Sequence, residues 1–233
     1  MFKYIATLSI LAMTLLFSVN CSVTESTNIK TSGIWTHFVI ENNQGVIRAY
    51  AVLRVGGATG TIVDLSGGEF IEVNGARLNE WVEPVTGYHW SSGLITESVN
   101  FEYLFNFVRT DEEIGTILHL PEVPVISEPV PDQMECFDLP IAIAWNADAP
   151  GDSVTVTISG ECIDTFSQTL PSDTGSYEVD GIPPIDGFVD GCPLTITITR
   201  WYEGSPNPAF QGGRIEQKAI DSIPVDITYC DAR

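Results

Sequence analysis

From Gly33 onward, hydrophobic and polar side chains alternate with a period of two along most of this chain, the pattern of strands that bury one face and wet the other. In "IRAYAVLRV", Ile47, Ala49, Ala51, Leu53 and Val55 oppose Arg48, Tyr50, Val52 and Arg54. "VNFEYLFNFVR" puts Val99, Phe101, Tyr103, Phe105 and Phe107 on one face and Asn100, Glu102, Leu104 and Asn106 on the other. Further along, Ile141, Ile143 and Trp145 share a face. Val154, Val156 and Ile158 oppose Thr155 and Thr157, and Leu194, Ile196 and Ile198 oppose Thr195, Thr197 and Thr199. "IPVDITYC" predicts a closing strand. Asn74-Gly75 predicts a two-residue hairpin turn and Gly67-Gly68 a second reversal. No stretch of ten residues in this region carries helical spacing, so the fold class predicted is all-β.

The N-terminus breaks the pattern. After Lys3, the run "IATLSILAMTLLFSV" from Ile5 to Val19 is apolar and uncharged. As a helix it would reach about 22 Å, short of the roughly 30 Å hydrocarbon core. It therefore predicts an export signal over residues 1–20; as a buried core helix it would be the one long helix in a strand-patterned chain. Ser18-Val19-Asn20-Cys21-Ser22 follows and resembles a bacterial lipobox. That resemblance implies a diacylglyceryl group on Cys21 and attachment of the mature protein to a membrane. Ser22 in place of Asp resembles the sorting signal for the outer membrane of a Gram-negative cell. The competing reading is an ordinary cleaved secretory signal.

Residues 21–32, largely "SVTESTNIKTS", read as a flexible polar tether. Four prolines in "PEVPVISEPVP" exclude helix and disfavour a central strand, so 121–133 is predicted as a stiff linker between domains at 33–120 and 134–233. In the second domain "LPIAIAWNADAPGDSVTVTISG" resembles the first large hairpin of fibronectin type III and immunoglobulin-like sandwiches. The resemblance implies two immunoglobulin-like β-sandwich domains in tandem.

Charge narrows the partners. Ten Lys and Arg stand against 31 Asp and Glu, for a net −21, which repels phosphate backbones and excludes nucleic acid. With 44% apolar and 18% charged residues the chain is a folding one, not a disordered one. Of five cysteines, Cys136, Cys162, Cys192 and Cys230 lie beyond the linker, and Cys21 is left over where a lipid would go. If the strands after Cys136 and before Cys162 form a hairpin, both cysteines stand at one end of it. Cys192 and Cys230 stand in the same relation to the strands that follow and precede them. This favours Cys136 with Cys162 and Cys192 with Cys230 among three connectivities, in an oxidising compartment. Reduced core cysteines are the alternative; a zinc site lacks a close C-x-x-C pair.

Asp173-Thr174-Gly175-Ser176 matches the catalytic loop of aspartic proteases, but the approach to it is polar and no second copy exists. A turn is predicted instead: Asp173 accepts backbone hydrogen bonds, Gly175 takes a positive φ, and Tyr177 and Val179 open a strand. No G-x-S-x-G, H-E-x-x-H or phosphate loop occurs, and His37, His89 and His119 lie far apart. No catalytic residue is nominated, and a hydrolase is the third choice. Asp residues in "DAPGD" (148–152) and "PPIDGFVDGC" (183–192) offer oxygen ligands for calcium. Trp81, Trp90 and Trp201-Tyr202 suit stacking on sugars. The expectation is an exported, membrane-anchored, non-catalytic binding or structural protein facing an envelope protein, with a carbohydrate-binding module as the alternative.

Overall fold

The computed structural model describes residues 23–84, 87–96, 101–132, 134–136, 139–147, 153–182, 185 and 191–228. Apart from two short 3-10 turns at Ser26–Asn28 and Thr31–Gly33, every regular element among them is a strand. The first half holds β1 (Thr24–Glu25), β2 (Ile34–Asn43), β3 (Val46–Val55), β4 (Thr61–Asp64), β5 (Phe70–Val73), β6 (Ala76–Arg77), β7 (Asn79–Val82), β8 (His89–Ile95), β9 (Glu102–Val108) and β10 (Glu113–His119). The second holds β11 (Ile126–Glu128), β12 (Met134–Cys136), β13 (Ile141–Trp145), β14 (Ser153–Gly160), β15 (Phe166–Leu170), β16 (Ser176–Val179), β17 (Cys192–Gly204) and β18 (Gly212–Thr228).

One long sheet organises the molecule, in the order β1-β4-β3-β2-β18-β17-β14-β15, with β8 and then β7 beside β3 and β12 beside β18. The sheet β10-β9-β5-β6 packs on its first half and the sheet β11-β13-β16 on its second. The alternation places the two cores. Phe38, Ile40, Ala49, Ala51 and Leu53 of the long sheet meet Tyr103, Phe105 and Phe107 of β9. Val154, Val156, Ile158, Ile196 and Ile198 meet Ile141, Ile143 and Trp145 of β13. Asn74 and Gly75 turn at φ 50° and 80° between β5 and β6, as a two-residue hairpin requires. Phe101 departs from its predicted row: it takes φ 55° before β9 begins and is exposed.

The boundary between the two sandwiches needs correction. β18 runs parallel to β2 from Gly212, opposite Trp35, to Ile220, opposite Asn43, then continues to Thr228 in the second half. Its Ile215 and the preceding Phe210 lie in the first core, and its Ile223, Val225 and Ile227 in the second. The second segment thus completes the first, and a division at 33–120 and 134–233 cuts through a core. The predicted linker 121–133 contains β11, an edge strand on β13, the position where prolines are tolerated.

The predicted flexible tether is docked from Thr24 on. β1 pairs in parallel with β4, and Ser26 and Thr31 are buried. Arg109 holds this segment: its guanidinium donates to Glu69 Oε1 at 2.8 Å, to the Ser26 carbonyl at 2.9 Å and to Thr31 Oγ1 at 3.0 Å.

The cysteine pairing is also corrected. β13 and β14 are not a hairpin; β13 pairs with β16 and β14 with β15 and β17, on opposite sides of the core. Gly160 of β14 lies opposite Leu194 of β17. The neighbouring Cys162 and Cys192 are thereby brought together and form a disulfide, with Cα atoms 6.3 Å apart. Cys136 is disulfide-bonded too, and Cys230 lies outside the described residues. No helix among the described residues is long and apolar enough to cross a membrane; the export signal and Cys21 lie outside them.

Candidate functional site

The side of the long sheet that faces away from the first core carries a row of aromatics. On β2 and β3 the residues opposite the core rows are Trp35, His37, Arg48, Tyr50 and Arg54. Register extends this face outward: Tyr50 lies opposite Ser92 and Arg48 opposite Leu94 on β8, while Asn79 and Trp81 of β7 lie opposite Ser92 and Trp90. The result is an open groove of about 360 Å³ lined by Arg48, Tyr50, Asn79, Trp81, Ser92 and Leu94. Trp81 is 52% exposed and Leu94 72%. Exposed apolar side chains grouped around one groove make this part of the face the candidate site.

Neighbouring contacts stiffen the platform. Trp90 packs on Tyr88 with ring centroids 6.0 Å apart. Arg54 sits 5.4 Å from the Tyr88 ring centre and donates to its hydroxyl at 3.2 Å and to the Gly60 carbonyl at 3.1 Å. His89 is fixed by Asp64 at 2.9 Å. Farther along the same face Glu216 gathers His37 at 2.9 Å, Arg214 at 3.2 Å and Lys218 at 2.6 Å. Burial pushes the Glu216 carboxyl up, but the hydrogen bond and charge of Lys218 and then the charges of His37 and Arg214 outweigh it, and it stays below its ordinary value.

Of the residues singled out from the sequence, Trp81 and Trp90 come together in cross-strand register. Trp201 lies on the same face but on β17, with β3, β2 and β18 between it and β8. Its Nε1 donates to Thr155 Oγ1 at 3.2 Å. Tyr202 points the other way and donates to the His119 carbonyl. The histidines stay apart, each against a different carboxylate: Glu216, Asp64 and Glu102. The sequence reading does not single out Tyr50, Arg48 or Asn79; the signal for the first two is the outward row of β3, which sets Arg48 next to Tyr50 on one face.

Asp173 is a turn residue as predicted: Oδ1 accepts the Gly175 N–H at 3.1 Å, Gly175 has φ 74°, and β16 follows. Its side chain is also fully buried, taking Trp145 Nε1 at 2.8 Å and an ion pair from Arg200 at 2.6 Å. A carboxylate committed to an arginine and an indole is not half of an acid-protease dyad. The loops 148–152 and 183–192 lie largely outside the described residues. Among the described residues no group of three or more His, Cys, Asp or Glu is placed to hold a metal.

A second cleft of about 520 Å³ borders Lys30, Thr31, Arg109 and Glu112. Arg109 is engaged in docking the N-terminal segment, so the cleft is a joint more than a site. Glu69 Oε2, buried beside it, has no hydrogen-bond partner among the described residues.

No family model matches the chain, and no curated protein matches it. Among solved structures it is similar to SGBP-B of the Bacteroides ovatus mixed-linkage glucan utilization locus, in complex with a mixed-linkage heptasaccharide. Identity is 12% and the TM-score 0.22, over 79% of this chain and 53% of that one. The chain thus spans about half the length of the structure it matches. Likeness at this level assigns neither a family nor a ligand.

Proposed function

We propose that this protein is an exported, lipid-anchored, non-catalytic binding protein of the cell envelope, and that its ligand is a glycan held on the outer face of the long sheet. The groove around Trp81 carries the reading. One face of a pyranose ring presents C–H bonds and packs on an indole, while hydroxyls at the ring edge need donors and acceptors. Trp81 and Tyr50 supply the aromatic surfaces, and Asn79 and Ser92 the polar groups. Trp90 extends the surface in the next strand. The test is quenching or shift of tryptophan fluorescence across a panel of oligosaccharides. Trp81→Ala should weaken the binding found by roughly 30-fold, the scale of a hot-spot tryptophan at about 2 kcal/mol. A panel that produces no binding, or affinity indifferent to Trp81→Ala, refutes the glycan reading.

The Cys162–Cys192 bond supports an oxidising compartment, in keeping with the export signal and with acylation at Cys21. Two or three acyl chains hold a protein on a membrane essentially permanently. β1 starts at Thr24, three residues past Cys21, so the body would stand within about 10 Å of its anchor. Cys21→Ser should move the protein from the membrane to the soluble fraction. Unchanged membrane retention contradicts acylation.

A further inference from the structure

We infer that the glycan is acidic, and that Arg48 binds its carboxylate; this rests on the glycan reading above and narrows it to uronate-type sugars. The chain has ten cationic side chains and 31 carboxylates, so an arginine has every opportunity to find a partner. The others described do: Arg77 with Glu80, Arg109 with Glu69, Arg200 with Asp173, Arg214 with Glu216, and Arg54 with Tyr88 and the Gly60 carbonyl. Among the described arginines Arg48 alone makes no ion pair or hydrogen bond through its side chain. Glu41 lies opposite it on β2, yet the two do not form an ion pair.

That open guanidinium lines the aromatic groove, in the next row along the face from Tyr50 and opposite Leu94. It offers a planar fork of donors that matches a carboxylate in two parallel bonds, a geometry a neutral hydroxyl does not fill. The net charge of −21 opposes an anionic ligand at long range. Screening limits that repulsion to about 8 Å at physiological ionic strength, so the direct contact at Arg48 decides selectivity inside the groove. Aromatic packing then supplies affinity for the ring and Arg48 the preference for its charge.

The experiment measures binding of the full chain, by calorimetry, to oligomers of galacturonate, glucuronate and mannuronate, each beside its carboxyl-reduced neutral counterpart. At least one uronate should bind ~10-fold or more tighter than its reduced form. Arg48→Gln should abolish that difference, and Arg48→Lys should keep only part of it, since the charge remains and the fork does not. Arg48 is exposed, so an unchanged melting temperature verifies that each variant folds. Acidic and reduced oligomers bound equally, or a preference that persists in Arg48→Gln, overturns the inference and leaves the glycan reading standing. If no acidic or neutral oligosaccharide binds the wild type, both fall.

Discussion

At Asp173 two roles meet in one side chain. The sequence Asp-Thr-Gly predicts a tight turn, and the turn forms, but the carboxylate also closes a buried network. Arg200 donates to Asp173, to the Asn146 carbonyl at 2.6 Å and to the Glu122 carbonyl, tying β17 to the start of the predicted linker. The signal was present in the β17 row: Leu194, Ile196 and Ile198 point inward, and the next inward position is Arg200, 0% exposed. A charge on an inward row requires a buried counter-charge, and alternation alone does not say which of 31 carboxylates supplies it. Asp173→Asn leaves Arg200 buried without its counter-charge. It should cost about 3–5 kcal/mol, seen as a melting midpoint lower by roughly 10 °C. A loss under ~1 kcal/mol in chemical denaturation would show that the pair is not the joint described.

Strands were legible as faces but only in part as neighbours: the Asn74-Gly75 hairpin and the pairing of β17 with β18 form, and the pairing of β13 with β14 does not. The rows Ile47 to Leu53, Ile141 to Trp145, Val154 to Ile158 and Leu194 to Ile198 all point where alternation predicts. A period of two states which side is buried, because that depends on adjacent residues. It does not state which strand lies alongside, because pairing joins residues far apart in sequence. The error over β13 and β14 followed: two inward rows separated by a turn read as a hairpin, yet they face one another across a core from different sheets. Cys162 then finds Cys192, since β14 and β17 are the strands that share an edge. The groove failed to show for the same reason. Trp81 and Trp90 are nine positions apart in the chain; their union with Tyr50 and Arg48 depends on β8 pairing with β3 across more than forty residues.

At the scale of the whole molecule, β18 decides how the halves cooperate. It borders β2 through nine registered positions and supplies Ile215 to the first core, then Ile223, Val225 and Ile227 to the second. Gly213 marks how close the approach is, since a Cβ there would lie 2.3 Å from the Thr36 carbonyl oxygen. A fragment of residues 33–120 would lack this strand, leave one whole edge of β2 unpaired, and expose the apolar surface that Phe210 and Ile215 cover. Burial of each such side chain contributes roughly 1.5–3 kcal/mol, against a total stability of about 5–15 kcal/mol for a domain. The bare edge adds an aggregation liability. The fragment should therefore give a poorly dispersed amide spectrum and no cooperative melt, while residues 23–233 unfold in one transition that fluorescence and far-UV dichroism report at the same midpoint. Two independent beads on a proline string would behave otherwise: the fragment would fold, and the longer chain would melt in two steps.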